Sequence, residues 1–213
     1  MNSDFWKNRW ANNEIGFHLA EAHEWLVQYL DKLALPKGSR IFLPLCGKTL
    51  DIHWLLQQGY QVAGCELVEL AIQQLFEELR ISPAITQHGN ITRYSAPDID
   101  MYVGDIFELT PDLLGPVAAV YDRAALIALP KDLRILYTRH VMQITGRAPQ
   151  LLICFEYDPA LYQGPPFSVT ADELREHYAN YYTLRLLDSE QTPDGLKGQY
   201  PALESAWSLQ KSF

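Results

Sequence analysis

Short apolar runs alternate with amphipathic stretches along most of this chain. Residues 40–45, 60–66, 100–103, 117–122 and 150–157 read as buried strands, with Ile41-Phe42-Leu43 and Leu151-Leu152-Ile153 the most apolar. Between them lie helical stripes: residues 68–80 carry Leu70, Ala71, Leu75 and Leu79, and residues 131–145 carry Leu133, Leu136, Tyr137, Val141 and Ile144. A further helix is expected over 18–34, from Leu19, Ala22, Leu26, Leu30 and Leu33. Regular alternation of strand and helix predicts an α/β fold with a parallel, doubly wound sheet. The polar stretch 81–100 is a long connection with room for a short strand or hairpin at 91–94. Thr170-Ala171-Asp172-Glu173 resembles a capping box and opens a helix to about 178. Residues 182–189 and 206–211 then predict an antiparallel pair at the sheet edge.

The stretch 40–66 organises the rest. A buried strand enters a tight turn at Cys46-Gly47-Lys48, a helix follows, and the second strand ends on Glu66, 19 residues after Gly47. In an open α/β sheet this arrangement holds an adenosine-bearing cofactor, with backbone N–H groups at the turn and the acid on the ribose hydroxyls. The Gly47-Lys48-Thr49 triplet is not a phosphate-binding loop, because that motif needs glycine at position 42, which is Phe. Residues 45–50 contain one glycine rather than the three of the dinucleotide fingerprint. A phosphate-free adenosyl cofactor fits the turn best, and S-adenosylmethionine is the common one.

The strand ends converge on one sheet edge: Leu45, Glu66, Asp105 and Asp122-Arg123. Asp105 can accept a hydrogen bond from an adenine amino group with Ile106 over the ring, or it can cap a helix. Arg123 can hold a ligand, or pair with Asp122 or Glu66. Ahead of the sheet, Phe5, Trp6, Trp10 and Phe17 form an aromatic arm. Trp6 and Trp10 share one helical face, either to pack on the main domain or to close as a lid over the pocket. His18 and His23 are five apart, poor spacing for shared metal ligation, and surface or packing roles are expected for both.

Composition narrows the function. With 17 basic and 26 acidic residues the net charge is −9, which argues against a nucleic-acid binder. No apolar run is long enough for a membrane span. Three widely spaced cysteines, Cys46, Cys65 and Cys154, with no leader sequence, fit free thiols in a cytoplasmic protein. No metal site is expected. One domain over 1–213 is expected, with residues 1–34 as a helical arm and lid, and nothing demands more than a monomer.

The sequence resembles the bacterial thiopurine S-methyltransferases. The resemblance rests on Phe5-Trp6-x-x-x-Trp10, Ile15-Gly16-Phe17-His18, Leu43-Pro44-Leu45-Cys46-Gly47-Lys48, Gly64-x-Glu66-Leu67, Tyr121-Asp122-Arg123-Ala124-Ala125-Leu126, and Tyr157-Asp158-Pro159 with Gly164-Pro165-Pro166-Phe167. It implies a Rossmann-like class I methyltransferase fold, a seven-stranded, mostly parallel sheet with an antiparallel C-terminal hairpin. It further implies that Trp10, Leu45, Glu66 and Arg123 contact S-adenosylmethionine, that Asp105 and Ile106 lie near the adenine, and that Phe17 and Arg123 border the acceptor.

Methyl transfer from a sulfonium to a readily ionised aromatic or heterocyclic thiol needs no strong general base, so no catalytic residue is expected beyond those that align the reactants. The products would be a thioether and S-adenosylhomocysteine. The alternatives are methylation of small thiols or of selenium and tellurium oxyanions with a role in metalloid resistance, a nucleotide-dependent oxidoreductase, and a non-catalytic adenosyl-metabolite binding or sequestering protein.

Overall fold

In the computed structural model, which describes residues 3–212, the chain opens with α1 (Ser3–Ala11) and α2 (Glu24–Tyr29), the latter extended by a 3-10 turn at Leu30–Leu33. There follow β1 (Arg40–Pro44), α3 (Leu50–Gln57), β2 (Gln61–Glu66), α4 (Glu69–Leu79), β3 (Ala84–His88), β4 (Ile91–Ala96) and β5 (Ile99–Val103). Then come α5 (Pro111–Leu114), β6 (Ala119–Arg123), α6 (Lys131–Ile144), β7 (Gln150–Glu156), α7 (Ala171–Tyr178), β8 (Tyr182–Gln191) and β9 (Leu203–Lys211).

One sheet runs in the order β3-β4-β5-β2-β1-β6-β7-β9-β8. Its centre, β5-β2-β1-β6-β7, is parallel, and β9 and β8 add the expected antiparallel C-terminal pair. The doubly wound class therefore holds, with nine strands rather than seven. The extra two form the antiparallel hairpin β3–β4 on the far edge, within the stretch that left room for one. Every residue of β3 is exposed, so no period-2 burial pattern marked it in the sequence.

Helices cover both faces. One core cluster gathers Phe42, Tyr102, Val120, Tyr137, Leu152 and Trp207. The other gathers Trp25, Leu26, Ile41, Leu43, Ile52, Leu75 and Tyr121. Alternate residues of β1 and β6 face opposite clusters, which is why these strands read as continuous apolar runs. The helix expected over 18–34 begins only at Glu24. His23 takes an extended backbone and its ring accepts the Trp25 N–H at 3.3 Å, so it caps the helix. Residues 12–23, between α1 and α2, form a non-helical strap. No helix among the described residues is long and apolar enough to cross a membrane.

Candidate functional site

The carboxyl ends of the central strands open into a cavity of about 980 Å³. That is the upper end of the usual range for ligand sites, enough for a cofactor and a second small molecule together. Its floor comes from the turn after β1 and from the ends of β2, β6 and β7. Its roof comes from α1 and the strap at residues 12–23.

Two strand ends break with non-glycine residues in the left-handed region, Leu45 after β1 at φ 47° and Ala124 after β6 at φ 60°. Such backbone is costly for a side-chain-bearing residue and recurs where geometry serves a ligand. Leu45 turns the chain so that Gly47, at φ 54°, presents its N–H to Glu66 Oε2 at 2.8 Å. The other carboxylate oxygen of Glu66 accepts the Val68 N–H at 2.8 Å. Glu66 thus ties the turn after β1 to the start of α4 while its carboxylate still borders the cavity. Burial raises its pKa above the usual carboxylate range, partly offset by these N–H donors. The approach of the strands is set by Gly64, where a Cβ would lie 2.5 Å from Met101 Sδ and 2.8 Å from Cys46 Sγ.

The aromatic arm seats on this turn. Trp10 is buried against Val68 and Ala71, and its ring lies 5.7 Å from that of Phe17, edge to face. Trp6 meets Phe17 similarly at 6.0 Å. The indole that anchors α1 therefore also lines the cavity.

Arg123 ends β6 and lines the cavity with Ala124 and Ile127. The ion pair to Asp122 or Glu66 open to it in the sequence does not form. Asp122 is spent on the Leu126 N–H at 3.0 Å and the Tyr137 hydroxyl at 2.6 Å, and Glu66 on its two backbone donors. Among the described residues the Arg123 side chain forms no hydrogen bond or ion pair, and it borders the cavity unpaired.

Trp10, Phe17, Leu45, Glu66 and Arg123 thus line one cavity, with Gly47 directly beneath Trp10. Asp105 and Ile106 lie outside its lining. Asp105 accepts the Phe107 N–H at 3.1 Å and caps the 3-10 turn Ile106–Glu108, and Ile106 is a core side chain.

Several lining residues carried no sequence signal. Glu204 reaches the site because β9 runs antiparallel to β7, placing its first residues beside Phe155 at the carboxyl edge. Leu196 and Lys197, in the β8–β9 connection, arrive the same way. Pro165 and Pro166, by contrast, belong to a motif that carried the resemblance; they form part of the rim, their carbonyls held by the hydroxyls of Tyr162 and Tyr157 at 2.6 Å. His18 and His23, expected on the surface or in packing, both line the cavity. His23 is buried, donates its backbone N–H to Asp51 at 2.7 Å and meets Glu204 Oε1 through Nε2 at 3.3 Å.

Cys46, Cys65 and Cys154 are free, buried thiols, and burial raises all three pKa values, so none is a nucleophile at neutral pH. No cluster of three metal-ligating side chains occurs among the described residues.

The model of the thiopurine S-methyltransferase family matches residues 1–204. A thiopurine S-methyltransferase from Xanthobacter autotrophicus is 51% identical over 213 residues, covering all of both chains. One from Acinetobacter baylyi is 46% identical over 219 residues, again covering both in full. Among solved structures, a TehB-like SAM-dependent methyltransferase from Corynebacterium glutamicum superposes with a TM-score of 0.58 at 15% identity, covering 99% of this chain and 98% of that one. The 1,6-didemethyltoxoflavin-N1-methyltransferase from Burkholderia thailandensis, solved with bound 1,6-didemethyltoxoflavin and S-adenosylhomocysteine, gives 0.65 at 16% identity, covering 98% of this chain and 87% of that one. At such identities the two structures bear on the fold alone.

Proposed function

The chain belongs to the thiopurine S-methyltransferase family, and we propose that it transfers the methyl group of S-adenosylmethionine to the sulfur of aromatic or heterocyclic thiols through the cavity described above. The observation that carries this reading is the sharing of one cavity by two unlike groups: the Glu66 carboxylate at the turn, and the unpaired Arg123 cation opposite the aromatic roof.

The residues fit the cofactor. Glu66 keeps lone pairs beyond the two given to Gly47 and Val68, and these suit ribose hydroxyls. Leu45 and Trp10 supply apolar walls, and the single-glycine turn leaves no cradle for a pyrophosphate. Asp105 and Ile106 are assigned to the adenine end by position: they follow Gly104, the residue after β5, whose N–H donates to the Glu66 carbonyl at 2.9 Å.

The cofactor's sulfonium supplies an electrophilic methyl and a neutral leaving group. What remains for the protein is alignment, exclusion of water and stabilisation of the nucleophile. Arg123 holds the acceptor sulfur in its anionic form by a charge-assisted contact, and Phe17 offers its ring to a planar acceptor. Trp6, Trp10 and the strap 12–23 act as the lid, since together they form the roof. A monomer acting in the cytoplasm is the corresponding setting, supported by three thiols buried in reduced form.

The test is turnover of methyl-labelled S-adenosylmethionine with a panel of aromatic and heterocyclic thiols. Label in the thioether, with S-adenosylhomocysteine in equal amount, is expected. Tight cofactor binding with no transfer to any thiol would leave a binding protein instead.

A further inference from the structure

Resting on the thiol-methylation reading, we propose that His18 is a catalytic base in the acceptor half of the cavity, extending the enzyme's acceptors from thiols that are already ionised to neutral thiols.

His18 follows Phe17 in the strap and lines the same cavity as Arg123 and Glu66. Neither ring nitrogen has a hydrogen-bond partner among the described residues. Nδ1 is sealed from water, whereas Nε2 is not, so Nε2 is the nitrogen a ligand can reach. A half-buried imidazole whose Nδ1 is sealed from water without a partner is costly where it serves packing alone, because polar atoms withdrawn from water are normally satisfied. His23, five residues on, shows the satisfied alternative, with its ring spent on Trp25 and Glu204.

The charged groups around His18 come from four elements. Lys48 in the turn and Arg123 at the end of β6 disfavour the imidazolium, while Glu78 on α4 and Asp51 on α3 favour it. Burial is the largest influence and, with the two cations, holds the pKa below the ordinary histidine value. Glu78 is also drawn off by Lys48 Nζ at 2.6 Å, and Asp51 by the His23 N–H and the Thr49 hydroxyl. The ring is therefore neutral at neutral pH, the state a base needs.

The step balances without a further reactant. The thiol S–H bond breaks and its proton passes to His18 Nε2. The sulfur's lone pair forms the new S–CH3 bond as the donor's C–S bond breaks, that electron pair remaining on the departing thioether sulfur. The imidazolium then gives its proton to water, readily because burial and the two cations disfavour the charge. Arg123 stabilises the sulfur's developing anion meanwhile, so the two residues divide one task.

The experiment compares wild type with His18→Gln on a series of thiols, from an aromatic thiol ionised at neutral pH to an alkanethiol that is not. Calorimetry with S-adenosylhomocysteine verifies that the variant keeps its cofactor site. A loss of about 100-fold or more in kcat is expected for the alkanethiol, shrinking steadily as acceptor pKa falls. The variant's pH profile should follow the acceptor's own ionisation, while wild type shows a limb below the ordinary histidine pKa. In wild type saturated with S-adenosylhomocysteine, the alkanethiol should also shift the His18 imidazole NMR signals. Equal losses across the series, or none, would overturn the base role and leave the methylation reading standing. Wild type that methylates no thiol would overturn both.

Discussion

Trp10 lies so close over Gly47 that a β-carbon at residue 47 would stand 2.9 Å from its Cζ2. Gly47 is also held at φ 54°, where any other residue is strained. Gly47→Ala should therefore cost about 1–3 kcal/mol of stability and lift the indole from the roof, weakening S-adenosylhomocysteine binding tenfold or more. Gly59→Ala is the control, since Gly59 has φ 81° but nothing within 4 Å of its added carbon. It should show the backbone cost in urea unfolding and leave calorimetric affinity unchanged. If both variants bind as wild type does, Trp10 does not roof the cofactor.

Glu66 is a structural acceptor before any ligand arrives. Replacing it by Gln leaves one oxygen for two backbone donors, Gly47 N–H and Val68 N–H, and turns an amide N–H toward the other. Leaving a buried donor unpaired costs about 1–3 kcal/mol, so Glu66→Gln should lose stability without ligand and lose cofactor affinity as well. The two losses separate by comparing urea midpoints with and without saturating S-adenosylhomocysteine. A variant that is destabilised alone but binds normally would remove Glu66 from the ribose.

Arg123 makes the opposite forecast. With no protein partner to lose, Arg123→Ala should leave unfolding free energy within about 0.5 kcal/mol of wild type. If it supports the acceptor anion by a charge-assisted contact of about 1.5–3 kcal/mol, kcat/KM should fall between about tenfold and a few hundredfold. Normal stability with normal kinetics would sink the acceptor role.

The part of this site that follows from local sequence was readable and the part assembled by tertiary register was not. Gly47 and Glu66 sit at the two ends of one turn-helix-strand unit, so their spacing alone predicts their meeting. Arg123 marks itself as the charged residue after an apolar strand. Glu204 and Lys197 carry no such mark, because only the reversal of β9 against β7 brings them to the carboxyl edge. His18 was hidden by the pattern of its surroundings. Leu19, Ala22 and Leu26 suggested a helical face, and the His23 cap that interrupts it is a side-chain contact no periodicity encodes. Of the β3–β4 hairpin, the inner strand was readable at 91–94 and the outer one was not, being exposed throughout.

Asp122 ties the fold to pH. It lies beneath the Arg123 strand end, fully buried, and burial raises its pKa from 3.8 to about 6 despite the Tyr137 hydroxyl and the Leu126 N–H that favour its charged form. The folded state therefore keeps a proton that the unfolded chain releases at lower pH. Below pH 3.8 both states are protonated and Asp122 contributes no slope. Between there and about 6 the unfolded chain has lost its proton and the folded one has not, so stability falls as pH rises. Above that window the deficit is constant, on the order of 3 kcal/mol for such a shift. Urea unfolding from pH 4.5 to 7.5 should show this decline in wild type, superimposed on other groups. Asp122→Asn cannot titrate, so the difference between variant and wild type should change by a few kcal/mol across the window, moving in the variant's favour as pH rises. A difference that stays flat across the window would mean Asp122 is ionised in the fold at ordinary acidity, its two donors outweighing its burial.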